Sequence, residues 1–546
     1  MSNTTLADRI YSRLLHTVSE TNGLTLQDTI ELIVSSQTLP DDLKSEFVDF
    51  KTKLNRYRTN DGSIQELLNH PVGLAFHRLF VHFPLRFREE HIHLTGSLTA
   101  EFIFPRLKKL LDGPQKKIYE EKIKNVYGPG SIPVNSAEDV DRLIRLQDGE
   151  KFDRYLEILY LAKLILVDRA AHKEAAFHLA QSLWNHYNVG AVRLKFSLSR
   201  ATTLSNEQLP GDSSVSPEDV LMGLYEGLKE FQKSNPGFEF ILSPCFRKEP
   251  EFYDSSKFKN KKEDFEFQIS ELRRMLEAHP ELRRHLVEVD TVGSERDLYR
   301  KSHFQEMKVG FRKLQSIGLK IRSHHGETWS TLRTGIQSVD NAMNIWHVDA
   351  IEHGLSLGIN PNFYFHSIFQ RVMARNRKSK ALPVNSIEYR EIKSMDWGHY
   401  TDVRDKLLKG VELNEKEHTA FVKTKFHMAR EVEHYQHDIL NRMIDKQLSV
   451  IALPSSNKKL TGQFEDYKDH PFSWWEKKGL KLGVGTDNYV TLNTNYIHEM
   501  LILLFTDPLN LKITKLLLVC TGETRRPFMS QKLWQMRKHA PAQEGF

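Results

Sequence analysis

Cysteine is nearly absent from this chain of 546 residues. Only Cys245 and Cys520 are present, which excludes a disulfide framework and a metal site made of thiolates. The small zinc enzymes that carry a Pro-Cys-x-x-Cys pair are excluded as well, because Pro244-Cys245 is followed by Phe-Arg-Lys. Any metal site must therefore be built from histidine and carboxylate side chains.

Long apolar runs and a strong charge excess are also missing. No apolar run reaches 18 residues, and the polar start MSNTTLADRI has no basic region followed by an apolar one. We therefore expect no membrane partner and a cytoplasmic protein. The net charge is +6, from 77 basic and 71 acidic residues, which argues against a nucleic-acid partner and suits a small anionic substrate.

The length and composition allow a large folded core. Hydrophobic residues make up 39% and aromatic residues 10% of the chain, and 546 residues indicate either two domains or one large barrel with additions. Apolar residues recur every three or four positions in residues 1–83, which predicts a helical extension. We expect this extension to form a cap or a homo-oligomer contact.

From residue 84 to 546, helical stretches alternate with short β-branched or apolar runs that end in polar residues or glycine. Eight such runs are predicted as strands: one that starts within 87–104 and ends at Gly96, and then 189–200, 237–248, 286–295, 319–327, 348–357, 448–457 and 480–488. This alternation predicts an α/β fold, a (β/α)8 TIM-type barrel with active-site residues at the carboxyl ends of its strands. A doubly wound open sheet is the alternative, but no glycine-rich phosphate turn follows the first strand.

Two segments depart from the alternation. Residues 201–217 predict a polar loop beside the barrel mouth. Residues 358–447, between the sixth and seventh strands, are too many for one crossover helix and predict an insertion.

Histidine and aspartate side chains fall at four strand ends. His91 and His93 are two residues apart and share one face of the first strand, while His324, His353 and Asp487 follow strands five, six and eight. Imidazoles with one carboxylate suit zinc at an open site, with one position free for water. Each residue alone would more often be structural, and the common placement at strand ends favours a metal centre.

The motifs around these residues resemble the adenosine deaminase family of zinc amidohydrolase barrels. The matching segments are His91-Ile92-His93-Leu94 with Gly96; Val289-Asp290 with Gly293 and Glu295; His324-His325-Gly326-Glu327; His353-Gly354; Pro454 with Ser456-Asn457; and Thr486-Asp487. They occur in the family's order and span residues 87–490. The helical extension and the insertion lie outside the match.

The resemblance implies a role for each matching residue. The zinc ligands, one ion per chain, would be His91, His93, His324 and Asp487. Glu327 would shuttle a proton to the purine N1, His353 would orient and help activate the attacking water, and the backbone of Gly293 would contact the purine N3. Zinc lowers the pKa of a bound water to about 7, and a carboxylic acid facing the ring can protonate N1.

Thr95 departs from the family, whose adenosine-specific members have there an aspartate that reads the ribose 5′ hydroxyl. A threonine hydroxyl can donate to a phosphate that an aspartate would repel, so the sequence favours a nucleotide over a nucleoside. The basic residues at or near the ends of strands two and three are predicted phosphate contacts: Lys195, Arg200, Arg247 and Lys248.

Asn488 is the second departure, because the family has there an aspartate that contacts the purine. An amide can still donate to a purine nitrogen, so Asn488 is a predicted substrate contact. The leading hypothesis is hydrolytic removal of the 6-amino group of an adenine nucleoside or nucleotide, giving the inosine form. The alternatives are an amidohydrolase of another base and a barrel that has lost catalysis and serves as a binding or assembly module. Enlarged relatives of this family also act in bacterial defence against phage.

Overall fold

A computed structural model describes residues 5–21, 23–150, 152–198, 215–464 and 466–525, together with 529, 531–533, 535 and 536. Arg200 and most of the predicted polar loop at 201–217 lie outside these residues.

Eight parallel strands form one sheet within the described residues, in the order in which they occur along the chain. The strands are β1 (Phe87–His93), β2 (Val189–Ser197), β3 (Glu239–Arg247), β4 (Glu288–Val292), β5 (Lys320–His325), β6 (Ala350–His353), β7 (Ser449–Ala452) and β8 (Lys481–Val484). The end of β8 returns to β1, where the His93 N–H donates to the Asp487 carbonyl at 2.7 Å. The predicted α/β barrel is confirmed, and each predicted strand is present.

Helices α1 to α5 precede β1. They are α1 (Leu6–Glu20), α2 (Leu26–Ser35), α3 (Asp41–Arg58), α4 (Ile64–Leu68) and α5 (Pro71–Val81). Their apolar faces pack on the barrel's outer helices, as shown by the rings of Phe50 and Phe76, whose centroids lie 5.6 and 6.1 Å from that of Phe505. The N-terminal helices therefore share the hydrophobic core of the barrel.

Among the described residues, the connection from β1 to β2 contains six α-helices rather than the single crossover helix of a simple barrel. It contains α6 (Ala100–Leu111), α7 (Lys116–Tyr127), α8 (Ala137–Ile144), α9 (Phe152–Ile158), α10 (Tyr160–Ile165) and α11 (Arg169–His186). The short helices α9 and α10 place side chains over the carboxyl ends of the strands. This connection therefore forms part of the wall of the site described below.

Helices also separate the later strands. They are α12 (Pro217–Ser234), α13 (Lys261–Ala278), α14 (Lys301–Ser316) and α15 (Leu332–Asn341) up to β6, and α20 (Pro454–Thr461), α21 (Phe472–Lys478), α22 (Tyr496–Thr506) and α23 (Ile513–Thr521) after β7. Thr331 caps the start of α15 by accepting from the Thr334 N–H, an arrangement that satisfies an otherwise unpaired helix donor. None of the described helices combines the length and hydropathy that a membrane span requires.

Four helices lie between β6 and β7, in the predicted insertion. They are α16 (Pro361–Asn376), α17 (Ile387–Ser394), α18 (Thr401–Lys409) and α19 (Glu415–Asp445). The 31-residue α19 begins with a capping box between Asn414 and Glu417. It packs against α16 and also contacts α15, so the insertion lies against the barrel helix that follows β5.

The interior of the barrel contains a buried charge network. The Lys195 ammonium contacts Asp290 and lies 3.0 Å from Glu352 Oε1, and Arg322 donates to the same oxygen of Glu352. Arg322 also lies 3.7 Å from Glu288 Oε1. Opposite charges in contact offset the cost of burying each group, and this network lies directly beneath the predicted metal ligands.

Candidate metal centre

Three imidazole nitrogens converge at the carboxyl ends of β1 and β5. The Nε2 atoms of His91 and His93 are 3.2 Å apart, and His93 Nε2 is 3.2 Å from His324 Nε2. His91 is fully buried and His324 is 5% exposed. The alternation of side chains in β1 places both of its histidines on the face toward His324, as the sequence predicts.

Two of these histidines have carboxylate partners that fix their tautomers. His91 Nδ1 lies 2.7 Å from Glu352 Oε2, and His324 Nδ1 lies 3.2 Å from Asp290 Oδ1. Each Nδ1–H donates to its carboxylate, so each Nε2 presents a lone pair. Burial lowers the pKa of His91 and His324 well below the usual value. It lowers the pKa of His93 to about 3, so the imidazoles are neutral at pH 7.

Asp487 completes the donor set. Its Oδ1 lies 3.7 Å from His91 Nε2 and 3.5 Å from His93 Nε2, and its Oδ2 accepts from the Ser456 hydroxyl at 2.6 Å. The backbone of Asp487 has φ of +67°, a left-handed conformation that non-glycine residues rarely adopt. Such backbone strain is characteristic of residues held in place for function.

The spacing of these four residues fits a zinc ion. A tetrahedral zinc with bonds of about 2.0–2.1 Å separates its ligand atoms by about 3.3–3.4 Å. Two pairs of imidazole nitrogens, His91–His93 and His93–His324, are 3.2 Å apart, and Asp487 Oδ1 lies 3.7 and 3.5 Å from His91 and His93, close to that value. All three imidazoles offer ring nitrogens within 4.8 Å of one another. Without a cation, three lone pairs would face one another, and burial would raise the pKa of Asp487 to about 7. The donor set of three nitrogens and one oxygen suits zinc at an open site.

Glu327 and His353 lie beside Asp487, with ligand atoms of all three within 4.8 Å of one another. Glu327 Oε2 is 3.7 Å from His353 Nε2. Burial, reinforced by the charge of Asp487, raises the pKa of Glu327 well above its usual value. The raised pKa favours the protonated form of the Glu327 carboxyl, which is the form that can donate a proton.

Glu295 holds the loop that carries Glu327. Its buried carboxylate accepts from the backbone N–H groups of Gly326 at 3.0 Å and of Thr328 at 2.8 Å, and also from the N–H of Glu327 itself. Glu295 belongs to a matching motif in the sequence, but only the structure shows that it fixes the position of Glu327.

His353 is oriented by Asn457. Its Nδ1 lies 2.8 Å from Asn457 Oδ1, while no hydrogen-bond partner for its Nε2 occurs among the described residues. Burial lowers the pKa of His353 to about 4. A neutral imidazole with one unpaired nitrogen therefore faces the metal ligands. His325, in contrast, lies on the other side of β5, 5.4 Å from the ring of Trp346.

A cavity of about 850 Å³ opens above these residues. Its wall contains Thr95 and Gly293, as predicted, together with Phe152 and Tyr155 from α9, which the sequence analysis missed. Gly293 has φ of +104°, and a Cβ there would lie 2.2 Å from the carboxylate of Glu249. Only glycine fits at this position, which leaves its backbone facing the cavity.

The structure separates the predicted phosphate contacts. Arg247 lines the cavity, paired with Glu249 and lying over the Phe252 ring. The Lys195 ammonium is held between Asp290 and Glu352, and the Lys248 ammonium donates to the His324 carbonyl. Both ammonium groups therefore have internal partners, and Lys195 also belongs to the cavity wall, so their role as phosphate contacts stays a prediction.

Asn488, a predicted substrate contact, is held by two side chains of the site. It is fully buried and does not belong to the described cavity wall. Its amide donates to the Tyr155 hydroxyl and, at 2.7 Å, to Asp487 Oδ1. Gly96 packs so closely that a Cβ there would lie 1.7 Å from Asn488 Oδ1. The Asn488 amide therefore holds the Asp487 carboxylate and the Tyr155 hydroxyl in position by hydrogen bonds.

Lys163 in α10 is a basic residue of the cavity wall that the sequence analysis missed. Burial, with a smaller effect of nearby Arg247, lowers the pKa of Lys163 to about 8. Neither Lys163 nor Tyr155 carries a sequence signal, since both occur in ordinary helical patterns. Glu352 does carry one, because a carboxylate inside a buried strand requires a partner.

Comparison with known proteins gives matches among solved structures alone. No protein-family model matches the chain, and no curated protein matches it. An adenine deaminase from Arthrobacter aurescens is 12% identical, with a TM-score of 0.48, 83% of this chain covered and 99% of that one. A zinc-bound amidohydrolase from Burkholderia ambifaria is 11% identical, with a TM-score of 0.47 and coverage of 86% and 95%.

The N6-methyl-AMP deaminase from Arabidopsis thaliana is 13% identical, with a TM-score of 0.46, 84% of this chain covered and 97% of that one. At this level of identity the likeness concerns the fold.

Proposed function

We propose that this protein is a zinc-dependent hydrolase that removes the 6-amino group of an adenine nucleoside or nucleotide and releases ammonia. One observation carries the proposal: ring nitrogens of His91, His93 and His324 lie within 4.8 Å of one another, and Asp487 Oδ1 lies 3.7 and 3.5 Å from Nε2 of the first two. Glu327 lies beside Asp487, and burial raises the pKa of its carboxyl. The donor set would hold the ion, and the acid beside it supplies the proton that purine hydrolysis requires.

The metal ligands would be His91, His93, His324 and Asp487. When bound, the ion would supply Lewis-acid chemistry that makes water nucleophilic at neutral pH. The fixed tautomers of His91 and His324 keep their Nε2 lone pairs available for the ion.

Glu327 serves as the proton donor to the purine N1. Attack at C6 removes the aromaticity of the ring, and protonation of N1 stabilises the charge that develops there. Burial raises the pKa of Glu327, which favours the protonated carboxyl that this role requires. The bonds from Gly326 and Thr328 to Glu295 hold this acid in one position before substrate binds.

His353 and Asp487 orient the attacking water. His353 Nε2 is buried and has no partner among the residues that the structure describes, so it can accept a hydrogen bond from water. A carboxylate oxygen of Asp487 lies within 4.8 Å of ligand atoms of Glu327 and His353, where it can accept another hydrogen bond from the water. Gly293 presents its backbone to the cavity and would contact the purine N3.

A nucleotide suits this cavity better than a nucleoside. Thr95, which has no carboxylate to repel a phosphate, belongs to the cavity wall together with His93 and His324. Arg247 and Lys163 add basic groups to the same wall, and a guanidinium binds phosphate well. We therefore propose a monophosphate such as AMP or dAMP, with Arg247 as a phosphate contact.

A substrate panel tests the proposal. Zinc-loaded protein is incubated with adenosine, deoxyadenosine, AMP, dAMP and ATP at equal concentration, and the purine ultraviolet shift is followed. We expect turnover with the monophosphates above that with adenosine. Glu327→Gln is the matched control, which should retain zinc and lose at least about 100-fold in turnover.

The panel also separates the alternatives. Turnover of adenosine above AMP would reject the phosphate assignment, while no turnover of any adenine compound by zinc-loaded protein would favour another amidohydrolase reaction. Absence of bound zinc would favour a binding or assembly module.

A further inference from the structure

The insertion between β6 and β7 contacts both loops that carry Glu327 and His353. These contacts are made by two buried polar side chains, Glu391 in α17 and Gln436 in α19. Neither residue lines the described part of the catalytic cavity. Their hydrogen bonds to the neighbouring loops therefore indicate what Glu391 and Gln436 do.

Glu391 binds the start of α15, five residues after Glu327. Its Oε1 accepts from the Leu332 N–H at 2.7 Å and from the Tyr364 hydroxyl at 2.8 Å. Glu391 is fully buried, and Trp329 beside it is 2% exposed. Since Glu295 binds the segment at Gly326 to Thr328, the loop carrying Glu327 is fixed at both ends.

Gln436 binds the loop after His353. Its amide donates to the carbonyls of Ser356 at 2.8 Å and Ile359 at 2.9 Å. The Ser356 N–H in turn donates to the Gly326 carbonyl at 2.9 Å. Gln436 therefore supports the loop that follows His353 and, through Ser356, the beginning of the Glu327 loop.

A third set of contacts joins α19 to the far end of α15. Tyr435 donates through its hydroxyl to Asp340 Oδ2 at 2.9 Å, and Arg442 donates to Asp340 Oδ1 at 2.9 Å. The insertion thus binds α15 at its first and near its last residue. A helix held at both ends gives the preceding catalytic loop a rigid support.

We infer that Glu391 and Gln436 are positioning residues through which the insertion holds Glu327 and His353 in their working positions. The catalytic roles of Glu327 and His353 rest on the proposed function, whereas the bracing of their loops stands on the contacts alone. An insertion that only filled surface would bury apolar side chains here, because a buried carboxyl without a counter-charge costs free energy. Glu391 satisfies the first backbone N–H of α15 instead.

Hydrogen exchange tests whether Glu391 holds the loop that carries Glu327, and it requires no substrate. Glu391→Ala should accelerate exchange of the amides in residues 326–332 by about 5- to 30-fold, the effect expected from losing a helix cap. Exchange in β1 and β8 should stay unchanged. Glu391→Gln retains an acceptor oxygen and should restore protection. Glu388→Ala, in the same helix but bonded to Arg371, is the matched control and should leave exchange unchanged.

A milder variant keeps the test open if Glu391→Ala fails to fold. Tyr364→Phe removes only the hydroxyl that donates to Glu391, and it should accelerate exchange at Leu332 by a smaller factor. Unchanged exchange at residues 326–332 in both variants, or acceleration that is equal throughout the barrel, would overturn the inference.

Kinetics then separate positioning from general stability. Glu391→Ala and Gln436→Leu should each lower kcat by about 10- to 100-fold, as misplacement of a catalytic group does, with KM changed less than about threefold. Wild-type kcat in variants with accelerated local exchange would reject the catalytic part of the inference. If the substrate assignment itself is wrong, the exchange results still show whether the insertion holds the loop that carries Glu327.

Discussion

Replacing Glu352 by glutamine removes the carboxylate that links the metal ligands to the charge network of the barrel. Glu352 Oε2 accepts from His91, while its Oε1 accepts from Lys195 and Arg322. A glutamine has one acceptor oxygen, so its amide group must face a donor on one of these two sides. We expect weaker zinc binding and a less stable fold.

The expected loss of folding stability depends on the ion-pair partners that Lys195 and Arg322 keep. Breaking a buried ion pair costs about 3–5 kcal/mol. Lys195 keeps Asp290, and Arg322 keeps Glu288 and Glu90 at 3.7 and 3.8 Å. The lower end therefore applies, about 3 kcal/mol. Loss of the carboxylate behind a histidine ligand should weaken zinc binding by about 10- to 100-fold.

Denaturant unfolding of the zinc-free protein measures the stability change, and competition with a chelator measures zinc affinity. Glu174→Gln is the matched control, since its 59% exposed carboxylate pairs with Arg106 on the surface and should contribute less than about 1 kcal/mol. A Glu352→Gln variant with wild-type zinc affinity would refute the role assigned to this carboxylate.

Three further predictions concern other parts of the chain. Gly293→Ala should destabilise the fold by about 1–3 kcal/mol in denaturant unfolding, because of its positive φ and the overlap with Glu249; wild-type stability would contradict this. Burial raises the pKa of Glu391 from its ordinary 4.5 to about 7. Between these two pH values the folded protein keeps a proton on Glu391 that the unfolded chain has released. The free energy of unfolding therefore falls as the pH rises from 4.5 to 7. Relative to Glu391→Gln, the wild type should lose about 3 kcal/mol over this range, and parallel stability curves would refute it. Arg247→Gln should raise KM for AMP by at least about tenfold and leave KM for adenosine within about twofold; equal effects on both would remove Arg247 as a phosphate contact.

The barrel was predictable because each strand ends in a polar or glycine residue before a helical pattern begins. His91 and His93 share a face by strand alternation, and His324 follows from the same rule. The parallel barrel then brings strand ends from distant parts of the sequence to one mouth. These are local rules, and a single sequence contains the information that they require.

The roles of Lys195, Lys248 and Asn488 were not predictable in this way. From sequence alone, a lysine near a strand end is predicted to be exposed. Only the three-dimensional contacts show that Lys195 lies between Asp290 and Glu352. Tyr155 and Lys163 reach the cavity from helices between β1 and β2, whose placement depends on tertiary packing. Hydrophobic periodicity predicts such helices but not where they lie.

Metal analysis combined with X-ray absorption shows whether His91, His93, His324 and Asp487 hold zinc. Protein purified without chelator should contain one zinc per chain, with three nitrogen ligands and the remainder oxygen at about 2.0–2.1 Å. His324→Ala and Asp487→Ala should each lose the ion, while Glu327→Gln should retain it. A zinc-free wild type, or a His324→Ala variant that binds zinc as tightly as the wild type, would contradict the account.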